Sequence, residues 1–247
     1  MDLRAARFLA PMLGCLLATQ GCSGESLKGN KARVENDAAP AARVTKIGHI
    51  RSASIRESSG VIRCGYDTNL FWTHNDGRRS TLFAIRPNGD LAAQYTVVGA
   101  FFSDWEDIAR DAKGNLYLGD IGNNDAQRSK LFVHRVVEPK LDQPSSLVKV
   151  TASWELDFPG KPFDCESLFI WGDNGYVVSK VFDDKKAELC RFSLNPTGVK
   201  KLEKLGKLAI DAPVTGADIS DDGELLGLVS KQGRSEEHTS ELQSPCN

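Results

Sequence analysis

Past Arg43, apolar residues in this chain come in short runs of four to seven, broken by Gly, Asn and Asp. No stretch sustains the i, i+3, i+4 spacing that a helix needs, although Asp104 to Ala112 could make a turn or two. Leu70-Phe-Trp-Thr73, Leu116-Tyr-Leu-Gly119, Tyr176-Val-Val-Ser179 and Leu225-Leu-Gly-Leu228 have the length and side chains of strands. The residues between them, Asp67-Thr-Asn69, Lys113-Gly-Asn115, Asp173-Asn-Gly175 and Asp222-Gly223, are those that turns require. The pattern predicts an all-β protein.

The strands recur in a fixed order. Glu57-Ser-Ser-Gly-Val, Glu106-Asp-Ile-Ala, Glu166-Ser-Leu-Phe and Asp218-Ile-Ser each place an acid at the head of a first strand. A turn and one of the runs above follow. Third strands read at Thr81 to Ile85, Lys130 to His134 and Ala187 to Arg191, and fourth strands at Ala92 to Val98, Val148 to Leu156 and Val199 to Leu208. Four strands in roughly fifty residues is the period of a β-propeller blade. The fold expected for 44–233 is therefore a truncated β-propeller, about three and a half four-stranded blades. Val44 to Ile50 precedes the first blade and is expected to complete the last one, closing the ring. A β-sandwich is the alternative, disfavoured by the even four-beat repeat.

Both ends have a different texture. Arg4 and Arg7 precede an apolar stretch, Phe8 to Ala18, too short to span a bilayer, so residues 1–21 read as an export signal. The stretch closes in Thr19-Gln-Gly-Cys22, which resembles a bacterial lipoprotein box with Cys22 as the lipidated residue; Ser23 after it resembles an outer-membrane sorting signal. The expectation is a lipid anchor in the membrane facing the periplasm, with simple secretion as the alternative. Polar residues 22–43 read as a flexible tether. Residues 234–244 resemble the in-frame translation of a sequencing-library adapter, so 234–247 is expected to be an artefactual tail that interrupts the fourth blade.

With 31 Lys and Arg against 33 Asp and Glu, the chain has a formal net charge of −2. That balance gives no electrostatic case for a nucleic-acid partner.

Within a blade the strands run antiparallel, so the head of strand one and the loop after strand two share an end, and strand one is innermost. Glu57, Glu106, Glu166 and Asp218 are thereby expected around one mouth of the central channel. The second-to-third loops add His74, Asn75, Asp76 and Arg78, then Asp120, Asn123 and Asn124 with Arg128, then Lys180 with Asp183 and Asp184. Clustered carboxylates repel unless a cation neutralises them. Oxygen ligands without Cys or His suit Ca²⁺ or Mg²⁺ better than Zn²⁺. The alternative is that each acid caps backbone N–H groups and binds nothing, and the Asn and Asp of the loops could equally serve the turns. His74 could be a base, a ligand or a loop brace. His49 and His134 sit in strand patterns and read as structural. Cys165 is expected to point into inter-blade packing, and with Cys64 and Cys190 it could form a disulfide whose pairing is unreadable. The four Trp read as blade core. The chain holds no P-loop, G-x-S-x-G, H-E-x-x-H or dinucleotide fingerprint.

Glu57-Ser-Ser-Gly, Trp72-Thr-His-Asn-Asp, Asp104-Trp-Glu-Asp-Ile-Ala, Gly119-Asp-Ile-Gly-Asn-Asn, Val137-Glu-Pro139, Asp164-Cys-Glu-Ser and Val214-Thr-Gly-Ala-Asp resemble a family of secreted bacterial β-propellers of unassigned function. The resemblance runs from about Ile55 to Val229. At the fold level that family is similar to calcium-dependent propeller enzymes, the β-propeller phytases and gluconolactonase-like hydrolases, in which acids at strand heads hold the metal. Carried to this chain, it implies Glu57, Glu106, Glu166 and Asp218 as Ca²⁺ ligands. Two functions are therefore open. One is a lipid-anchored binding propeller that holds a divalent cation, a small molecule, or both. The other is a calcium-dependent hydrolase of phosphoesters or lactones, with Arg78, Arg128 or Lys180 steadying charge.

Overall fold

The computed structural model describes residues 2–5, 45–143, 145–182, 186–210, 212–230 and 233–238, the first and last of these segments through their backbone only. Among them, β1 (Asp2–Ala5) pairs with β2 (Thr45–His49). The strand expected to close the last blade thus pairs elsewhere, and Val44 lies outside the described residues.

Strands then follow in antiparallel sets. The first blade is β3 (Ser58–Arg63), β4 (Phe71–Asn75), β5 (Thr81–Ile85) and β6 (Leu91–Val98). The second is β7 (Trp105–Arg110), β8 (Asn115–Asp120), β9 (Lys130–Val137) and β10 (Leu147–Asp157). In the third, β11 (Cys165–Trp171), β12 (Asn174–Ser179) and β13 (Glu188–Ser193) lead through β14 (Gly198–Lys201) to the edge strand β15 (Glu203–Lys207). A fourth set holds β16 (Val214–Ile219), β17 (Leu225–Ser230) and β18 (Gly233–His238). The residues expected to form an unrelated tail thus supply backbone for a third strand.

The innermost strands follow one another around an axis, β3 against β7, β7 against β11 and β11 against β16. Sheets so arranged, each meandering outward from the axis, are propeller blades, and the chain is an all-β propeller.

Burial explains why the blades stack. Each has two apolar faces and must cover both. Trp72 and Leu82 of blade one meet Trp105 and Leu118 of blade two in one cluster. Ile121 and Trp154 of blade two meet Cys165 and Phe192 of blade three in a second. Phe169 and Val178 meet Leu226 and Leu228 in a third. The core lies between blades, with Trp72, Trp105 and Trp154 fully buried. Trp171 departs from expectation. It is 37% exposed and lies over the turn at Gly223, where an added Cβ would fall 2.1 Å from the indole.

The outer rim is stitched as well. The long strand β10 runs parallel to β6 through Leu147–Lys149 and parallel to β14 through Trp154–Asp157. The fourth strand expected at 199–208 is therefore split, its first half crossing to the neighbouring blade. Asp107 makes an inner stitch. Its buried carboxyl accepts the backbone N–H groups of Ile108 (2.9 Å) and, across the blade boundary, Leu168 (2.7 Å). Burial holds its pKa well above the ordinary carboxyl value.

Cys64, Cys165 and Cys190 are free thiols and buried. Cys165 and Cys190 stand on β11 and β13 with β12 between them. Two inter-strand spacings of about 4.8 Å exceed the roughly 7 Å limit for a disulfide's Cα atoms. Cys64 belongs to a different inter-blade cluster.

Candidate functional site

One irregularity repeats in every innermost hairpin and sets the register of the site. Ser58 pairs with Asn75, Trp105 with Asp120, Cys165 with Ser179 and Val214 with Ser230. The ladder then slips by one residue and resumes at Val61–Thr73, Asp107–Gly119, Leu168–Val177 and Gly216–Val229. A bulge at a strand head bends the strand and re-aims its side chains. Aligned on it, Glu57, Asp104, Asp164 and Pro213 precede the strands, and Ser59, Glu106, Glu166 and Thr215 stand two positions on.

Backbone bonds align the second-to-third loops in the same way. Asp76 N–H donates to Glu57 O (2.8 Å), Gly122 N–H to Asp104 O (3.1 Å) and Lys180 N–H to Asp164 O (2.8 Å). Asp76, Gly122 and Lys180 are therefore corresponding residues of successive blades.

Two carboxylate pairs result, Asp104 with Glu106 and Asp164 with Glu166, and they are treated differently. Lys180, its side chain 5% exposed, ion-pairs with Glu166 and with Asp164 at 3.4 Å, and donates to Asn124 Oδ1 at 3.4 Å. Burial opposes its charge, yet the bonds and charges of Glu166 and Asp164 hold its pKa above the ordinary value. The second blade has Gly122 in that position. A Cβ there would fall 2.3 Å from Asp104 Oδ2 and 2.7 Å from Glu106 Oε1, so the carboxylates occupy the space that a side chain would fill. Asp76 joins them from the first blade, and oxygens of Asp76, Asp104 and Glu106 all lie within 4.8 Å of one another.

Their electrostatics follow. Glu106 is 3% exposed, and burial, then the charges of Asp76, Glu166 and Asp104, push its pKa up to about 8 against a weak opposing bond from Ser59 Oγ at 3.2 Å. Burial and Asp76 raise Asp104, with Arg128 opposing. Burial and Glu57 raise Asp76, with the Gly77 N–H and Lys180 opposing. Among the described residues none forms an ion pair with Asp76, Asp104 or Glu106.

The other expected site residues brace this arrangement or stand apart from it. Asp120 accepts the N–H groups of Ser103 (3.0 Å) and Asp104 (2.6 Å) and pairs end-on with Arg128 Nη2 and Nη1 at 2.9 and 3.2 Å. Arg128 also donates to the carbonyls of Gly122 and Asp120, which commits its guanidinium. Asn123 holds Arg128's backbone at both N–H and C=O. Asn75 Oδ1 accepts the N–H groups of Arg56 and Glu57. Asn124 and Arg78 are exposed on the same loops. Glu57 is exposed and acts on the cluster through its charge on Asp76.

Two expectations need correction. Asp218 is the fifth residue of β16, beside the turn at 220–224, so it stands at the far end of its strand from Glu106 and Glu166. The sequence placed the strand too late because Val214-Thr-Gly-Ala carries little apolar signal. His74 is not available as base or ligand. It is fully buried, stacked on Trp105 at 4.1 Å between ring centroids, with Nδ1 on Asn75 O (2.9 Å) and Nε2 accepting Gly60 N–H (3.2 Å). Burial pulls its pKa down to about 3. His134 is structural as expected, buried with Nδ1 on Ser153 Oγ at 2.8 Å. Cys22, Asp183 and Asp184 lie outside the described residues.

Asp104, Asp164 and Ser59 were missed as site residues. A signal existed for two of them, since Asp104-Trp-Glu106 and Asp164-Cys-Glu166 repeat an acid two residues before the strand-head Glu.

No protein-family model matches the chain, and no curated protein matches it. Solved structures with a similar fold include the Cps50 (Swd1) β-propeller domain of Myceliophteria thermophila, at 8% identity and a TM-score of 0.43 over 81% of this chain and 60% of that one. They also include the nidogen/laminin complex (12% identity, TM-score 0.47, 81% and 66% covered) and the mitotic checkpoint complex (15%, 0.42, 76% and 50%). The chain spans half to two-thirds of the length of these proteins.

A pH dependence follows from Glu106. Between the ordinary carboxyl pKa and about 8 the folded chain keeps a proton that the unfolded chain has lost, so this group makes stability fall as pH rises across that window and level off above it. Glu106→Gln removes the effect. In thermal unfolding without divalent ions, the variant's Tm should gain on the wild type from pH 5 to pH 8 by about 5 °C or more, at 2–4 °C per kcal/mol. Parallel Tm curves would show that Glu106 titrates normally.

Proposed function

We propose that this protein is an extracytoplasmic, lipid-anchored binding propeller whose acidic mouth holds a cation, a divalent ion or a small ligand, between Asp76, Asp104 and Glu106. The observation that carries the reading is the contrast between two corresponding carboxylate pairs, one ion-paired with Lys180 and one, over Gly122, with no ion-pairing side chain among the described residues. Burial first, and then the charges of neighbouring carboxylates, raise the pKa of all three open-site carboxyls, and a bound cation would offset both effects. Oxygen-only donors suit a hard ion such as Ca²⁺, with water completing its shell of six to eight ligands. The resemblance to a secreted propeller family, and through it to calcium-dependent propellers, supports the same chemistry.

The hydrolase alternative gains no observation of its own. His74 is buried and neutral, and Arg128 and Lys180 are committed to Asp120 and to Asp164 with Glu166. Binding is the function the site supports best.

Calcium should therefore stabilise the protein. A ligand that binds only the folded state at 100 times its Kd adds about 2.7 kcal/mol, a Tm rise of about 5 °C or more. Glu106→Gln should lose most of that response, and a wild-type Tm unmoved by millimolar Ca²⁺ or Mg²⁺ would remove divalent ions as the occupant.

The anchor rests on Cys22 and the apolar stretch before it. Among the described residues no helix is long and apolar enough to cross a membrane. Replacing Cys22 by Ser should move the protein from the membrane pellet to the soluble extracytoplasmic fraction. A variant that still pellets with membranes would overturn the lipoprotein assignment.

A further inference from the structure

The third blade shows what the open site of the second is built to take. There, Asp164 and Glu166 close on a primary ammonium, the Nζ of Lys180, with Asn124 Oδ1 as a further acceptor. In the second blade the corresponding pair keeps its place at the bulge, the lysine position is Gly122, and Asp76 supplies a third oxygen in place of the carboxamide.

The dimensions agree with the same occupant. Three oxygens within 4.8 Å of one another can all be reached from one point no more than about 2.8 Å away, a distance that admits charge-assisted N⁺–H···O⁻ bonds. A primary ammonium has three N–H donors, one for each carboxylate. Glu106 leaves an acceptor free for it, because its one donor among the described residues, Ser59, is on Oε2, while Oε1 faces Asp104 Oδ2 across Gly122. Glu106 as a whole is 3% exposed.

Resting on the cation-binding reading above, we infer that the Asp76–Asp104–Glu106 site recognises a primary alkylammonium group, carried by a free amine or by a lysine side chain of a partner. The internal Lys180 contact is the same recognition made within the chain.

The test is calorimetric titration of the whole protein at pH 8.5 with n-pentylamine, Nα-acetyl-lysine amide and pentyltrimethylammonium, each repeated with Ca²⁺ present. The amine or the lysine amide should bind saturably. The trimethylated probe, which keeps the charge and loses the N–H donors, should bind at least tenfold more weakly. Glu106→Gln and the exposed-site variant Asp76→Asn should each weaken amine binding about tenfold or more, and Asp76→Asn guards against a Glu106 variant that folds poorly. Tighter binding of lysine amide than pentylamine identifies a protein side chain as the source, and the reverse identifies a free amine. Equal binding of the trimethylated probe, or amine binding unchanged in Asp76→Asn, overturns the inference. Glu106-dependent Ca²⁺ binding with no amine binding overturns it too while leaving the cation site intact; if neither ion nor amine binds, both readings fall.

Discussion

Repulsion between carboxylates held at the head of adjacent blades is the constraint on which this site turns. The recurrent bulge fixes where the strand-head residues point, and the inter-blade packing fixes how far apart they stand. Neither can relax without disturbing the buried Trp105 and Cys165 beside them. Charge must therefore be offset on the spot, by a proton, by an internal cation or by a ligand. The third blade uses Lys180. The second has raised pKa values and an open oxygen cluster over a glycine.

The surrounding residues make sense as a frame for that cluster. Asp120 and Arg128 hold each other through a bidentate, end-on pair and together fix the backbone at Ser103, Asp104 and Gly122. His74, neutral and stacked on Trp105, supports the same strand head from the first blade. Asp107 ties β7 to β11 one position deeper. A cluster of like charges keeps its shape only if its supports are rigid, and here they are buried and hydrogen-bonded.

Much of this was legible in the sequence. The period of strands, the acids at their heads and the convergence of second-to-third loops on one face all follow from alternation and turn chemistry. What failed has physical causes. Asp218 was misplaced because a strand beginning Val-Thr-Gly-Ala has no apolar alternation to mark its start. His74 and Arg128 looked functional because a sequence records residue type and not burial or partners. The crossing of β14 to the second blade is a tertiary choice made by β10, which presents a long outer edge. Asp104 was passed over because loop acids are common; only its repetition as Asp164, in the same register before the bulge, separates it from a turn residue.

The most direct measurement is a carbon-detected NMR titration of the Glu106 carboxyl in protein free of divalent ions and amines. The account predicts a midpoint near 8, because the carboxyl is buried among Asp76, Asp104 and Glu166. A midpoint in the ordinary carboxylate range would mean that the charge at the second blade is already balanced, and the site would have no call for a cation.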